Sequence, residues 1–265
     1  MVPPVILVAV YLAVKWVTGP YYLSVNFDPD YAYLFNALDL AVGLAPTHTD
    51  HPGTPLQLIG AAWIKLHNIG ASDVDTAANT IANSESRLEQ LNQLLFFLLF
   101  SAVTAAGLLI YRRAQRIFPA LLYSAGLLFL GGNIYCLGRF NPEPFLVCDW
   151  FLLGLVIFFH GRMDRAGEPP GRRNASLVFA ILAAFLAATG LAAKINSAPL
   201  VLLPLLVVRV WRYKLAYLSC ASAFLALCLI PAYCQLDRMS GWRTVLATPT
   251  ERFSHDDTGY FNSVS

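Results

Sequence analysis

The chain has 265 residues, 57% hydrophobic and 13% charged, with a formal net charge of +2 and a mean hydropathy of +0.56. Soluble domains carry about a quarter charged residues. The deficit, with apolar runs near ~20 residues, excludes an ordinary soluble domain and predicts an all-α polytopic membrane protein. So small a net charge excludes a nucleic-acid partner.

In chain order, the first span is expected over Val2–Tyr22, ending at Gly19-Pro20 and a tyrosine pair suited to the interfacial belt. It lacks a basic start and a small-residue cleavage site, so it reads as a retained anchor. Lys15 within it either snorkels to the nearer interface or faces a polar cavity. A long polar segment follows, Leu23–Gln90, in which Asp30–Leu44 and Thr54–Asn68 show helical periodicity. The second is too short and polar to span and predicts a helix lying in the interface. Gly70–Leu91 reads as a helical approach to the next span. Further spans are expected over Leu91–Tyr111, Pro119–Leu137, Phe145–His160, Ser176–Ala193, Ala198–Trp211 and Leu215–Tyr233, about seven in all. Residues 1–235 thus form one transmembrane domain, and 236–265 a tail that reads as the start of a further loop.

The arginines predict the topology. Ten of the 18 Lys+Arg residues (Arg112, Arg113, Arg116, Arg162, Arg165, Arg172, Arg173, Arg209, Arg212 and Lys214) lie in or beside the loops after the second, fourth and sixth spans. The positive-inside rule puts those loops and the N-terminus in the cytoplasm, and the long polar loop, Arg139, Lys194 and the tail outside. Eight of the 16 acids lie in that first external loop. Asn174-Ala175-Ser176 matches a glycosylation pattern but falls on the cytoplasmic side and is discounted. The cysteines, Cys136, Cys148, Cys220, Cys228 and Cys234, are odd in number and lie in or beside apolar runs, so they read as small hydrophobes rather than a disulfide framework.

The external loop holds the residues with chemical potential. Asp28-Pro29-Asp30-Tyr31-Ala32-Tyr33 opens it, Asp50-His51-Pro52-Gly53-Thr54-Pro55-Leu56-Gln57 leads into the interfacial helix, Arg139 and Glu143 lie in the next external loop, and Gly190-Leu191-Ala192-Ala193-Lys194 closes the fifth span. In order and predicted side, these motifs resemble the GT-C glycosyltransferases, specifically the branch of protein O-mannosyltransferases and aminoarabinose transferases. The likeness covers about residues 5–235. It implies transfer of a sugar, with inversion, from a polyprenyl-phosphate donor to a lipid, glycan or protein acceptor at the external face. The family's acidic pair is adjacent, whereas Pro29 separates Asp28 from Asp30 here. Counting back from Tyr33 and Ala37 favours Asp30, with Asp28 as its rival. Family members have more spans, which implies a fragment or a shortened member.

Such a transfer needs a base for the acceptor hydroxyl and cations for the departing phosphate. The resemblance assigns Asp30 or Asp28 as base, Arg139 and Lys194 to the phosphate, and His51, Asp50 and Glu143 to substrate binding. Each has a plainer reading: helix capping for the aspartates, a locally bonded turn histidine for His51, and snorkelling for Arg139 and Lys194. His48 reads as a loop histidine. Asp149, inside the fourth span, is costly unless functional or paired, with Arg139 or Lys194 as expected partners. Asp28, Asp30, Asp50 and His51, with His255, Asp256 and Asp257 of the tail, are ligand types compatible with a divalent cation. No segment has metal-ligand spacing, so no metal residue is assigned, and the tail reads as a frayed loop.

Two rival functions are weighed against transfer. A transporter or lipid flippase would carry paired broken helices or inverted repeats, and only unmatched glycine breaks are visible. A non-catalytic or truncated membrane subunit is the other. A bacterial inner membrane is favoured over the endoplasmic reticulum by the chain's compactness.

Overall fold

The computed structural model describes residues 2–18, 30–47, 53–126, 137, 139–163, 172–208 and 210–235. Asp28, His48, Asp50, His51, the second half of the expected third span and the tail lie outside the described residues.

The described residues are helical, without strands, as an all-α membrane protein requires. Helices α1 (Val2–Thr18), α2 (Asp30–Ala41), α3 (Thr54–His67), α4 (Asp73–Ala82), α5 (Ser84–Ala114) and α6 (Ile117–Ala125) make up the first half. Helices α7 (Pro142–Met163), α8 (Arg172–Ala193), α9 (Ala198–Val201), α10 (Leu203–Val207) and α11 (Trp211–Leu229) make up the second. Four stretches are long and apolar enough to cross a membrane: Ser84–Ala114, Pro142–Phe159, Ser176–Ala193 and Trp211–Tyr233. Pro4–Val17 and Ala198–Val207 are shorter apolar helical stretches.

Two expectations change. The approach to the second span and the span itself form one 31-residue helix, α5. The break falls earlier, at Asn83, whose side-chain amide donates to the Asn79 carbonyl at 2.9 Å and so closes α4. The expected sixth span is divided into α9 and α10. Pro199 and Pro204 each fall in the first turn of their helix, where a missing N–H is harmless, but neither can continue a preceding helix.

Helix α8 is the inner member of the bundle. Its span window is 61% buried against 11% for α11, so α11 packs on α8 from outside and keeps most of its surface for lipid. The small side chains Ala180, Ala183, Ala184 and Ala187 are buried on α8, which lets the neighbouring backbones approach closely. Tyr217 of α11 is fully buried and donates to the Val201 carbonyl at 2.6 Å, supplying a partner to a carbonyl near the α9–α10 break.

A second core joins α1, α5, α6 and α7 through Leu7, Leu99, Val103, Ile110 and Val147. A third joins the polar half to the bundle, as Tyr33 and Leu34 of α2 and Leu56 and Ile64 of α3 share one cluster with Leu88, Leu91 and Leu95 of α5 and with Phe140. The buried face of α3 is Leu56, Gln57, Gly60, Ala61 and Ile64, whereas Leu58, Ile59, Ala62, Trp63 and Leu66, whose spacing predicts the helix, lie with Leu58, Ala62 and Leu66 exposed and Ile59 and Trp63 half-buried. Leu58 and Leu66 are exposed beside Lys65.

Lys15 is engaged by an acid. It forms an ion pair with Glu89 of α5 and lies 5.6 Å from the Tyr11 ring centroid, tying the end of α1 to the head of α5.

Candidate functional site

Asp30 stands in the first turn of α2, where the partial positive charge of a helix N-terminus favours an acid. It is buried, with 1% exposure, and one carboxylate oxygen accepts from Arg139 Nε at 3.3 Å. Arg139 is placed by its neighbour Phe140, which is buried in the α2–α3–α5 core. A buried carboxylate needs such compensation, since an uncompensated one is strongly destabilising.

Four residues after Arg139, in the first turn of α7, Glu143 forms an ion pair with Lys194. Lys194 immediately follows α8, so this pair bridges the start of α7 and the end of α8. Both members are mostly buried, at 15% and 22% exposure for Lys194 and Glu143. The two cations expected to snorkel are therefore both engaged with acids.

The turn ahead of α3 closes the circuit. The Gly53 N–H donates to the Ala193 carbonyl at 3.2 Å, one residue before Lys194. Thr54 Oγ1 reaches the Ala192 carbonyl at 3.5 Å. These bonds satisfy carbonyls at the end of α8 that have no intrahelical partner. Gly53 has φ +57°, and a Cβ there would sit 2.8 Å from Tyr33 Cε1, so the turn accepts glycine for both backbone and space. Tyr33 is in turn one helical turn beyond Asp30. Asp30–Arg139, Glu143–Lys194 and Gly53–Ala193 are thus three contacts drawn from three polar segments, all at the same end of α7 and α8.

The loop after α2 is also braced. Asn36, fully buried, accepts the Thr47 backbone N–H at 3.0 Å through Oδ1. Asp39 nearby is pushed above the usual carboxylate range by burial, partly offset by a hydrogen bond from Thr47.

Asp149 differs from expectation. It is buried in α7 at 6% exposure, but its partner is Thr189 of α8, whose hydroxyl donates to Oδ1 at 3.0 Å. Arg139 and Lys194 are held by Asp30 and Glu143 instead. The two α7–α8 contacts, Glu143 with Lys194 and Asp149 with Thr189, are successive rungs of one antiparallel pairing. Thr189 was not singled out from the sequence, although it adjoins Gly190 of the Gly190–Lys194 motif. Glu89 was likewise missed, because no local pattern links it to Lys15.

Among the described residues, no three His, Cys, Asp or Glu side chains gather as a metal site. Cys148, Cys220 and Cys228 are half-buried free thiols.

Fold and site together define an all-α membrane protein that gathers buried ion pairs at one end of its apolar helices. Comparison of the chain with protein-family models, curated proteins and solved structures found no match.

Proposed function

We propose that the chain is an integral-membrane glycosyltransferase of the GT-C type, moving a sugar from a polyprenyl-phosphate donor to a lipid, glycan or protein acceptor at the external face. The observation that carries this reading is the presence of both ion pairs, Asp30–Arg139 and Glu143–Lys194, at one end of α7 and α8. Two acids and two cations drawn from separate polar segments are what transfer from a lipid phosphate requires.

Asp30 takes the proton from the acceptor hydroxyl, whose oxygen attacks the anomeric carbon as the bond to the phosphate oxygen breaks. The leaving phosphate keeps the electron pair, and configuration inverts. Arg139 and Lys194 exchange their carboxylate partners for the phosphate oxygens, Arg139 offering a planar fork and Lys194 a point charge. Loss of Arg139 to the phosphate releases Asp30 at the step that needs a base. Asp28 is the alternative base, His51 and Asp50 orient the donor, and Glu143 holds Lys194 until the donor arrives. A divalent cation drawn to Asp28, Asp30, Asp50 and His51 is compatible with this scheme and is not required by it.

The exposed Leu58 and Leu66 of α3 support an interfacial placement beside a lipid-borne substrate. The alternating arginine loops support about seven passes with a cytoplasmic N-terminus, a pattern that fits a bacterial inner membrane and the endoplasmic reticulum alike. The test is transfer of labelled sugar by membranes carrying Asp30→Asn, Asp28→Asn or both. Loss of the base lowers the rate by about 10²–10⁴-fold, and full activity in the double variant sinks the proposal.

One observation favours a flippase as the second reading: the α9–α10 break combined with the buried Asp149. A matched broken helix, which such a transporter would carry, is absent among the described residues. Movement of labelled lipid without formation of a glycosylated product would select it.

A further inference from the structure

Away from the ion pairs, a cavity of about 310 Å³ opens between α1, α5 and α6. Its wall includes Val103, Gly107 and Tyr111 on one face of α5, Ile117 and Leu121 on α6, and Pro4 of α1. The lining is almost wholly apolar, and it runs along the membrane-spanning part of α5 rather than its polar head. Tyr111 and Ile117, at its end, bracket the turn between the two helices.

That turn is basic. Arg112 and Arg113 close α5 and Arg116 precedes α6, all three exposed. Gln115 adopts a left-handed conformation with φ 52°, and its side-chain amide donates to the Arg112 carbonyl at 2.7 Å, which reverses the chain between the arginines that close α5 and the one that precedes α6. None of the three is in an ion pair with another described residue, and residues 103–126 contain no Asp or Glu. An apolar crevice within the span, ending at three exposed arginines that have no acid partner among the described residues, is complementary to a molecule with a long apolar chain and an anionic phosphate. Guanidinium groups bind phosphate oxygens through paired N–H donors, and basic pockets between membrane helices recognise anionic headgroups.

We propose that this crevice is a binding site for an anionic glycerophospholipid, one acyl chain lying between α5 and α6 and the phosphate held by Arg112, Arg113 and Arg116. The site is independent of the ion-pair cluster, which lies toward the opposite end of α5.

The full chain is purified in a neutral detergent and titrated with phosphatidylglycerol or phosphatidylcholine of identical chains, and bound lipid is counted by native mass spectrometry. The expected result is one retained phosphatidylglycerol, held at least about tenfold more tightly than phosphatidylcholine, since each arginine contributes about fivefold toward an anionic lipid. The Arg112→Gln, Arg113→Gln, Arg116→Gln variant, altered only at exposed positions, should bind the two lipids equally. Leu121→Trp, which fills the crevice, should lose both while its arginines remain. Equal retention by the unaltered chain overturns the proposal, as does a preference that survives the triple variant. Undiminished lipid binding by Leu121→Trp, with helix content checked by circular dichroism, overturns the placement of the chain.

Discussion

Thr189 supplies the donor that keeps Asp149 tolerable between two apolar helices. Removing a partner and leaving a buried polar group unsatisfied costs about 1–3 kcal/mol, so Thr189→Val should lower stability by that amount and Thr189→Ser should restore most of it. Thermal unfolding in detergent measures both, and an unchanged Thr189→Val midpoint would show that the hydrogen bond carries no weight. Asp39 gives a pH-dependent counterpart. Burial raises its folded-state pKa, so its stabilising contribution is fully present below the unfolded value, near ~3.9, and is lost as pH rises through the folded value. Asp39→Asn should therefore unfold at a higher temperature than the unaltered chain at pH 7, and the gap should close on acidification toward about pH 4. A gap that stays constant with pH would disprove the assignment. These environments were only partly legible in the sequence. Asp149 was visible as a costly acid, but sequence cannot distinguish a threonine partner on α8 from a cationic one just beyond its end. Arg139 and Lys194 were visible as candidates, and what decides between snorkelling and pairing is the distance to Asp30 and Glu143, set by the packing of other elements.

Between elements, the contact that positions Asp30 is the packing of α2 against α3. A Cβ at Gly60 would lie 2.7 Å from the Ala37 Cβ and 3.0 Å from Phe140 Cζ, so the two helices and the residue beside Arg139 meet at one point. Gly60→Ala must move either a helix or Phe140. Overpacking of this kind costs about 1–3 kcal/mol, and the measurement is a denaturant or thermal midpoint compared with that of Gly70→Ala. Gly70 has nothing within 4 Å of the corresponding position but a φ of +82°, so its cost is backbone strain alone. A smaller effect at Gly60 than at Gly70 would count against the close approach. The elements themselves were readable where periodicity was strong: α3 appears at Thr54–His67 against an expected Thr54–Asn68, and α8 ends at Ala193 as expected. The α9–α10 division was misread as one span because composition outweighed two prolines. The helical approach expected before the second span is present, but it is divided at Asn83, and its second part is continuous with the span in α5.

At the scale of the whole molecule, the apolar character and helical class followed directly from composition. The joining of three polar segments at one end of α7 and α8 did not, because bonds such as Gly53 to Ala193 connect residues far apart in the chain. Orientation is testable here. Single cysteines introduced at Ala78 and at Gln115 in a chain whose native cysteines are replaced by serine should react with an impermeant thiol reagent from opposite sides of a sealed vesicle. Labelling of both from one side would rule out α5 as a crossing helix.

The length of α5 has a consequence for the bilayer that surrounds it. At ~1.5 Å per residue its 31 residues extend about 46 Å, whereas the hydrocarbon core is about 30 Å thick. The Lys15–Glu89 pair and the arginines at 112 and 113 stand about 35 Å apart along it. The helix therefore acts as a gauge of membrane thickness whose upper end is fused, through Leu88, Leu91 and Leu95, to the core carrying Asp30. A thinner bilayer must tilt this rod or expose its apolar middle, and either response acts on the core that holds α2 and Phe140 together. Lipid chain length is thus an external setting for the tilt of α5. In vesicles of short, medium and long acyl chains, the tilt of α5 read by oriented spectroscopy should form a graded series, and a constant tilt would count against this role.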